Sequence, residues 1–301
     1  MKVLITGATG LVGKELVKQC LDQNISVNYL TTSKTKIVSQ EKYKGFYWNP
    51  LEHKIDAKCL EGVTAIIHLA GATIAQRWTD KNKERILNSR VESALVLSKL
   101  LKDNSHNVVH FISASAIGIY PNSLTNFYSE NEPVASTSFL GQVVTEWENV
   151  ANQFKALDIK VSKIRVGLVL DNKEGALPEM VNPIKFGFGA AFGNGKQWQS
   201  WIHKVDVAGV FVHVLQNKLE GVFNAVAPNP ITNKELTQQI AKVLKKPLIL
   251  PNIPKFAMKL ILGDMHILLF ESQRVNSKKI EDLGYQFKFY CIKPALVDLL
   301  K

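Results

Sequence analysis

The fold of this 301-residue chain is decided by the stretch Val3-Leu4-Ile5-Thr6-Gly7-Ala8-Thr9-Gly10-Leu11-Val12-Gly13. It begins as a short apolar strand, breaks at Gly7 and continues as an amphipathic helix from about Leu11. The three glycines allow a tight turn, close approach of the backbone to a pyrophosphate, and close packing of helix on strand. The helix N-terminus then offers free N–H groups to phosphate oxygens. We therefore predict a dinucleotide site formed by Gly7, Thr9, Gly10, Leu11, Val12 and Gly13; the alternative is a strand-to-helix turn without a ligand.

Strand-like and helix-like segments alternate through the first half of the chain. Predicted strands after the first are 26–31, 46–48, 64–69, 108–113 and 160–166, and predicted helices are 11–23, 79–102 and 139–157. The strands are almost wholly apolar, which is typical of a parallel sheet covered by helices on both faces. The predicted fold class is therefore α/β, a doubly wound parallel sheet of the Rossmann type.

The sequence changes character after about residue 170, where glycine and proline become frequent. Helices are predicted at 233–245 and 253–262, and short strands at 222–226 and 248–250. We expect residues 1–170 to form the dinucleotide-binding domain, with part of 205–228 returning to it. Residues 171–301 then form a smaller α+β lobe that is interleaved with the sheet. Such a lobe would supply the second wall of a cleft at the carboxyl ends of the strands.

Composition and charge narrow the class of protein. The apolar fraction of 46% and the charged fraction of 21% are ordinary for a globular protein, and no apolar run is long enough to span a membrane. The net charge of +11 comes from scattered lysines, so we expect no nucleic-acid partner. Cys20, Cys59 and Cys291 lack metal-ligand spacing, which predicts no metal site. The sparse cysteines and the immediate entry into the first strand favour a cytoplasmic protein.

The end of the second predicted strand bears on which dinucleotide is bound. An NAD site usually has Asp or Glu there to bind the ribose 2′-hydroxyl. This chain instead reads Tyr29-Leu30-Thr31-Thr32-Ser33-Lys34. Hydroxyl donors and an ammonium suit a 2′-phosphate better. We therefore predict NADP(H), bound by Thr32, Ser33 and Lys34, with NAD as the less favoured cofactor; the alternative is that Lys34 and Lys36 are solvated loop residues.

Two further strand ends and several aromatic-rich motifs carry a resemblance to a known family. The strand ends read His68-Leu69-Ala70-Gly71 and Ser113-Ala114-Ser115-Ala116-Ile117-Gly118-Ile119-Tyr120. The motifs are Arg77-Trp78-Thr79, Ser89-Arg90-Val91, Trp147-Glu148, Gly193 to Gly195 with Gln197-Trp198, Trp201-Ile202-His203 with Asp206, Asn224 to Pro230, and Gln273-Arg274-Val275. With these motifs the chain resembles the extended short-chain dehydrogenase/reductase superfamily. Within that superfamily it is similar to the YfcH-like epimerase family proteins, which are atypical NADP-binding members.

This resemblance implies where a cofactor binds and which catalytic group is absent. An NADP-type cofactor is expected along the glycine turn, along Leu69, Ala70 and Gly71, and at Ser113, with Ser115 placed to polarise a substrate carbonyl. The superfamily uses a Tyr-x-x-x-Lys pair, in which the tyrosine is the acid/base and the lysine lowers its pKa. The aligned helix here reads Phe139-Leu140-Gly141-Gln142-Val143, so both members are missing. Hydride chemistry in this chain would need another group for the proton.

Other side chains are candidates for that proton. Tyr120 is one, with a packed core tyrosine as the alternative. His203, with Asp206 three residues later, is another, with an ordinary helix start as the alternative.

Glu148 could reach Arg165, although a solvent-facing carboxylate is the default on such a helix.

Substrate contacts are predicted at two places. Arg77 with Trp78 could bind an anionic group of the substrate, and Arg90 is assigned to the cofactor; surface ion pairs are the alternative for both arginines. The glycine-rich loop over 186–201, with Gln197 and Trp201, is predicted to cover a substrate pocket. The alternative for this loop is an irregular backbone required by a tight bend.

The sequence leaves two functions open. The first is an NADP-dependent oxidoreductase or epimerase acting on a small polar or nucleotide-sugar-like molecule. The second is a noncatalytic NADPH-binding sensor or scaffold, which the missing Tyr/Lys pair favours. Superfamily members often dimerise through helices such as 79–102 and 139–157, so a homodimer is the expected assembly, unless those helices pack only on the sheet.

Overall fold

The computed structural model describes all residues from Met1 to Lys301 and is organised around one large sheet. Seven strands of this sheet are parallel, namely β1 (Lys2–Thr6), β2 (Ser26–Thr31), β3 (Tyr43–Asn49), β4 (Ala65–His68), β5 (His110–Ala116), β6 (Lys160–Val166) and β7 (Gly221–Ala225). Their order across the sheet is β3-β2-β1-β4-β5-β6-β7, with short antiparallel strands beside β3. This is the order of a dinucleotide-binding doubly wound sheet with one added strand, so the predicted fold class is confirmed.

Helices cover both faces of the sheet. The ten α-helices are α1 (Leu11–Asp22), α2 (Asp80–Asp103), α3 (Phe139–Asn152), α4 (Ala176–Lys185), α5 (Lys204–Gln216), α6 (Asn233–Leu244), α7 (Lys255–Leu262), α8 (Ile267–Phe270), α9 (Lys278–Asp282) and α10 (Ile292–Leu300). Side chains alternate along a strand, and β1 shows the result. Val3 and Ile5 pack with Leu16 of α1 and with α5, whereas Leu4 packs with α2 and α3 on the other face. The central residues of β1 are therefore apolar in succession because both faces of the sheet are buried.

The C-terminal part of the chain has a core of its own and also contributes to the sheet. Helices α4, α6 and α10 pack around Trp201, which is fully buried. Two pairs of short strands connect this region to the rest: Leu168–Leu170 with Trp201–His203, and Phe127–Tyr128 with Arg274–Val275. A third pair, Trp198–Gln199 with Ile231–Thr232, lies within the region. In the same part of the chain, α5 packs on the large sheet and β7 forms one edge of it. None of the ten helices has both the length and the apolarity that a membrane crossing requires.

Some predicted elements differ from the observed ones. No strand forms at 248–250, so that prediction was wrong. The flanking Pro247 and Pro251 have no N–H to give to a ladder, and Ile249 is exposed to solvent. The helix predicted over 139–157 ends as an α-helix at Asn152 and continues as a 3₁₀ turn over Gln153–Leu157.

Candidate functional site

The glycine turn after β1 is held open by its backbone geometry. Gly7 has a φ of +71°, and a Cβ there would lie 3.0 Å from the carbonyl carbon of Leu69. A Cβ on Gly13 would lie 2.7 Å from the Cα of Ala8, so the start of α1 packs directly on the turn. Gly10 caps α1 without a side-chain hydrogen bond, and no acidic residue stands in the first turn. The first N–H groups of α1 therefore lack side-chain acceptors and can receive an anion.

A large cleft lies at this turn. Its volume is about 650 Å³, and its walls come from the carboxyl ends of β1 to β4 and from α2. Its lining residues are Gly7, Thr9, Leu30, Thr31, Thr32, Trp48, Asn49, Pro50, Leu51, Ala70, Gly71, Ala72, Lys81, Glu84, Arg85, Asn88, Ser89 and Ser93. Of the predicted cofactor residues, this set brings together Gly7, Thr9, Thr32, Ala70 and Gly71. We call this space the coenzyme cleft.

A buried chain of hydrogen bonds holds two walls of the coenzyme cleft together. The backbone N–H groups of Leu69 and Ala70 donate to the Thr6 hydroxyl at 3.1 and 3.0 Å. That hydroxyl therefore donates its own proton to Nδ1 of His68, 2.8 Å away. Nε2 of the neutral ring is then the protonated nitrogen and donates to Ser93 of α2 at 3.1 Å. Burial lowers the pKa of His68 to about 4, which keeps the ring neutral.

The end of β2 carries hydroxyls rather than a carboxylate. Thr31 and Thr32 line the coenzyme cleft, and the Ser33 N–H donates to the Thr31 hydroxyl at 3.2 Å. The Lys34 ammonium is exposed and lies 5.3 Å from the centre of the Tyr47 ring. Ser33 and Lys34 thus stand beside the cleft and not in its wall.

Arg90 of α2 carries an uncompensated charge beside the cleft. It is 6% exposed, and it donates only to the carbonyls of Ala72 and Ile86, at 3.2 and 2.9 Å. Its Nε has no hydrogen-bond partner, and the guanidinium lies 4.9 Å from the Trp147 ring centre. Burial without a carboxylate partner lowers the Arg90 pKa to about 10. A Cβ on Gly71 would lie 3.0 Å from the guanidinium carbon, so this cation abuts the cleft wall.

A second cavity of about 190 Å³ lies on the other side of Arg90, and we call it the substrate cavity. Its lining residues are Ile74, Arg90, Ala116, Ile117, Gly118, Leu140, Val143, Val144, Trp147, Val166, Gly167, Leu168, Trp198, Gln199, Ser200, Leu268, Glu271 and Gln273. Val143, at the position of the missing lysine, is in this wall. Phe139, at the position of the missing tyrosine, packs edge-to-face on Trp78 with ring centres 5.1 Å apart.

Ser115 and Tyr120 belong to a buried polar network behind the substrate cavity. Ser115 donates to the Glu148 carboxylate at 2.7 Å, and Tyr120 donates to the Asn224 side chain at 2.8 Å. Arg165 binds Glu148 and also donates to the Tyr120 oxygen at 3.0 Å. The predicted contact between Glu148 and Arg165 is therefore confirmed. Both hydroxyl protons are held in this network, and neither residue lines the cavity. The carbonyl-polarising role of Ser115 and the proton-donor role of Tyr120 stay predictions.

Three residues of the 186–203 region, all predicted site residues, have structural contacts in the fold. Nδ1 of His203 accepts from the Val205 N–H and caps α5, and burial lowers the His203 pKa to about 4. Its expected partner Asp206 instead accepts from the backbone N–H groups at 288 and 289. The Trp201 indole donates to the carbonyl of Asn229, and Gln197 donates to backbone carbonyls. All three side chains are buried outside both cavities, and their roles in catalysis and substrate contact stay predictions.

The remaining predicted residues are divided between surface and core. Arg77 is exposed, and Trp78 is buried with its indole donating to the carbonyl of Ile74. Ser113 is 1% exposed, and its hydroxyl donates to a backbone carbonyl. The sequence did not indicate Glu271, which is the only carboxyl group in the wall of the substrate cavity. It lies two residues before the quoted motif Gln273-Arg274-Val275, and that proximity was the available signal.

Comparison with known proteins agrees with this fold. Residues 3–226 match the NAD dependent epimerase/dehydratase family, and residues 253–299 match a domain of unknown function, DUF1731. A chloroplastic epimerase family protein SDR39U1 homologue of Arabidopsis thaliana is 35% identical over 300 residues, which cover 98% of this chain and 86% of the relative. An epimerase family protein of Staphylococcus aureus strain N315 is 35% identical over 303 residues, covering 99% and 98%.

Solved structures give the same result. The human epimerase family protein SDR39U1, solved with NADPH, is similar with a TM-score of 0.86 and 27% identity, covering 99% of each chain. A UDP-N-acetylglucosamine 4-epimerase from Bacillus cereus has a TM-score of 0.77 at 17% identity, covering 99% of this chain and 98% of its own. The second likeness shows the fold alone.

Proposed function

This chain belongs to the NAD dependent epimerase/dehydratase family, and from that premise we propose that it is an NADP(H)-dependent oxidoreductase or epimerase. Its substrate is a small polar or nucleotide-sugar-like molecule. The single observation that carries the proposal is the coenzyme cleft, which is lined by the glycine turn and stands beside the open start of α1 and a buried cation without a counter-ion.

The residues present fit a phosphorylated dinucleotide. The open N–H groups of α1 and the guanidinium of Arg90 provide donors for a diphosphate, and each lacks an acceptor or counter-ion within the protein. Thr31 and Thr32 in the cleft, with Lys34 beside it, favour a 2′-phosphate over a 2′-hydroxyl. The NADPH of the human relative supports the same choice, and NAD is the less favoured alternative. NADPH, when bound, supplies a hydride.

The substrate cavity supports a reaction beside the coenzyme. It adjoins Arg90, lies at the carboxyl ends of β5 and β6, and is mostly apolar with a few polar side chains. Pockets of this composition usually bind small molecules, with the polar groups fixing orientation. We propose that residues 1–170 with part of 205–228 hold the coenzyme, and that the lobe from 171 to 301 supplies much of the substrate side.

A second candidate function is a noncatalytic NADPH-binding sensor or scaffold. The observation that favours it is the combination of Phe139 and Val143 with hydroxyl protons of Ser115 and Tyr120 that are already donated. The two functions predict the same coenzyme affinity. They differ in whether any substrate oxidises the bound coenzyme.

The proposal also covers the assembly and the cellular location of the protein. A homodimer through α2 and α3 is the proposed assembly, although both helices also pack on the sheet. A cytoplasmic location is proposed from the sparse cysteines. Sedimentation velocity of the purified protein tests the first of these directly.

Coenzyme titration tests the proposed function. Protein fluorescence is followed while NADPH or NADH is added to the wild type and to Thr32→Asp. The wild type is expected to bind NADPH more tightly than NADH. The carboxylate of Thr32→Asp should weaken NADPH at least about tenfold, because it repels the 2′-phosphate and can instead accept from a ribose hydroxyl.

The matched control is Thr125→Asp, which adds the same charge at an exposed residue outside both cavities. It should leave both affinities unchanged. If the wild type takes up neither coenzyme, the proposed function fails. Oxidation of NADPH by any member of a panel of small aldehydes and ketones separates the enzyme from the sensor.

A further inference from the structure

We propose that Glu271 is the proton-transferring group of the substrate cavity, and that Gln273 positions its carboxyl. This rests on the proposed function, since it names the acid/base of the same site. The proposal answers the question raised by Phe139 and Val143, which leave the usual position of the proton donor without an ionisable group.

The lining of the substrate cavity identifies the candidate by elimination. Among its eighteen residues, only Arg90 and Glu271 have ionisable side chains. A guanidinium does not release its proton in proteins. The Ser200 hydroxyl donates to the Gln273 carbonyl at 2.8 Å and so is engaged within the protein. Glu271 is therefore the side chain in this wall that can exchange a proton near neutral pH.

The position of Glu271 relates it to the missing pair. The Ser138 hydroxyl is near enough to the Glu271 carboxyl to lower its pKa, and Ser138 caps α3 by accepting from the Gly141 N–H at 3.2 Å. Ser138 is the residue immediately before Phe139. The carboxyl thus lies at the start of the helix that would carry the tyrosine and lysine, although it comes from a segment much later in the chain.

Gln273 fixes the orientation of this carboxyl. Its side-chain amide donates to Glu271 at 3.2 Å and to the Tyr120 carbonyl at 3.4 Å. Gln273 is 8% exposed, and its backbone carbonyl accepts from the Ser200 hydroxyl, so both its backbone and its side chain are hydrogen-bonded. Such a side chain can keep one carboxyl oxygen directed while the other faces the cavity.

The surroundings of Glu271 move its carboxyl towards the protonated form. Burial raises the pKa of Glu271 above the usual value, and the hydrogen bond from Gln273 and the nearby Ser138 hydroxyl only partly oppose this. No cation forms an ion pair with it, in contrast to Glu148. A general acid is most effective when its pKa approaches the working pH, and burial moves a glutamate in that direction.

Glu271 exchanges one proton with the substrate in each direction of the proposed reaction. In the reducing direction, the substrate carbonyl carbon accepts a hydride, which carries two electrons, from the reduced coenzyme. The carbonyl oxygen accepts the proton of the Glu271 carboxyl, so that an alcohol, an oxidised coenzyme and a carboxylate result. Water then returns a proton to Glu271. In the oxidising direction the Glu271 carboxylate accepts the hydroxyl proton.

The first test uses the free protein and no substrate. Glutamate carboxyls labelled with ¹³C are titrated by NMR, and the Glu271 signal is identified by its loss in Glu271→Gln. We expect its pKa to lie above the ordinary glutamate value. Unfolding gives a second readout: because the folded pKa is raised, stability relative to Glu271→Gln should decrease as pH rises through that pKa. A Glu271 carboxyl that titrates at or below the ordinary value overturns the proposal.

The second test compares variants with bound NADPH and a panel of small aldehydes and ketones. Glu271→Gln should bind NADPH as the wild type does but lose about 10²- to 10⁴-fold in kcat, with little change in KM. Glu271→Asp should recover part of the rate, and Gln273→Leu should lower the rate and shift the pH profile. Glu146→Gln removes an exposed carboxylate from α3 and should behave as wild type.

The outcomes separate this proposal from the proposed function. A wild type that does not bind NADPH contradicts the proposed function, while the NMR titration still decides the state of Glu271. A wild type that binds and oxidises NADPH, with a Glu271→Gln variant equally fast, overturns the role of Glu271 alone. A raised pKa of Glu271 in the free protein, together with a loss of rate in Glu271→Gln that is confined to kcat, supports both proposals.

Discussion

Arg165 and Glu148 form a buried ion pair directly behind the substrate cavity. The Arg165 Nε and Nη2 atoms donate to the two carboxylate oxygens at 2.8 and 3.1 Å. Burial alone would raise the Glu148 pKa, but the hydrogen bonds and charge of Arg165 outweigh it and the pKa lies below its usual value. The pair orients Ser115 and Tyr120, which bind its two ends. It thereby joins β5 and β6 to α3.

Removing one partner of this pair should therefore be costly. Glu148→Met leaves the Arg165 guanidinium buried without its counter-ion, and we expect a loss of about 3–5 kcal/mol in unfolding free energy, measured by urea denaturation. Glu148→Met/Arg165→Met removes both charges and should be less destabilised than the single variant. Glu146→Gln is the control and should change stability by about 0.5 kcal/mol or less. Equal losses in the single and double variants would contradict this account.

Replacing Arg90 should not lower the unfolding free energy, in contrast to replacing Glu148. Arg90→Met removes a buried cation that has no carboxylate partner, so the free protein should be as stable as the wild type or more stable. Its affinity for NADPH should decrease tenfold or more, about 1.4 kcal/mol, because a counter-charge for the ligand is lost. Fluorescence titration and urea denaturation measure the two effects. Lys99→Met, on the exposed side of the same helix, should change neither. Unchanged NADPH affinity would remove Arg90 from the coenzyme site.

Local pattern was sufficient to predict the sheet and the coenzyme turn. Apolar runs separated by helical periodicity gave the first six strands, and the spacing of Gly7, Gly10 and Gly13 located the cleft. Gly10 and Gly13 could be interpreted because each acts through backbone close to it in sequence. Gly7 differs, because its neighbour Leu69 follows β4.

The polar contacts of the site could not be predicted in the same way. Thr6 and His68 are 62 residues apart, and Gln273 reaches Tyr120 across 153 residues. A sequence pattern lists Ser115, Tyr120 and His203 as candidate donors but does not say which protons are already donated. That property depends on partners such as Asn224, which the fold alone brings within reach. Glu271 was missed for the same reason.

The close packing of Gly13 against the turn predicts that a side chain at this position lowers stability. A Cβ there would lie 2.7 Å from the Cα of Ala8, and neither backbone can move without opening the turn. Gly13→Ala should therefore lower the unfolding free energy by about 1–3 kcal/mol and weaken NADPH binding. Gly10→Ala is the matched control for stability, because its Cβ would meet only the Gly7 carbonyl oxygen at 3.3 Å. It should cost about 1 kcal/mol or less. Thermal melts rank the two variants, and a reversed ranking would contradict the close packing of α1 on β1.

Three buried histidines predict how stability depends on pH. Burial lowers the pKa of His68, His110 and His203 from 6.5 to about 4. Between these values the unfolded chain binds more protons than the folded one, so stability is complete above about pH 6.5 and is lost as pH decreases towards 4. Each histidine contributes up to about 1.4 kcal/mol per pH unit. Urea denaturation at a series of pH values measures this slope.

His203→Asn isolates one of the three contributions. Asparagine can keep the cap, since its side-chain oxygen can accept from the Val205 N–H as Nδ1 of His203 does, but it does not titrate. Stability near pH 7.5 should therefore change little, while the slope between pH 6.5 and 4 should decrease by about one histidine's share. A variant with the wild-type slope would show that His203 is not held neutral by burial. A loss of NADPH turnover at pH 7.5 with unchanged stability would place His203 in the active site.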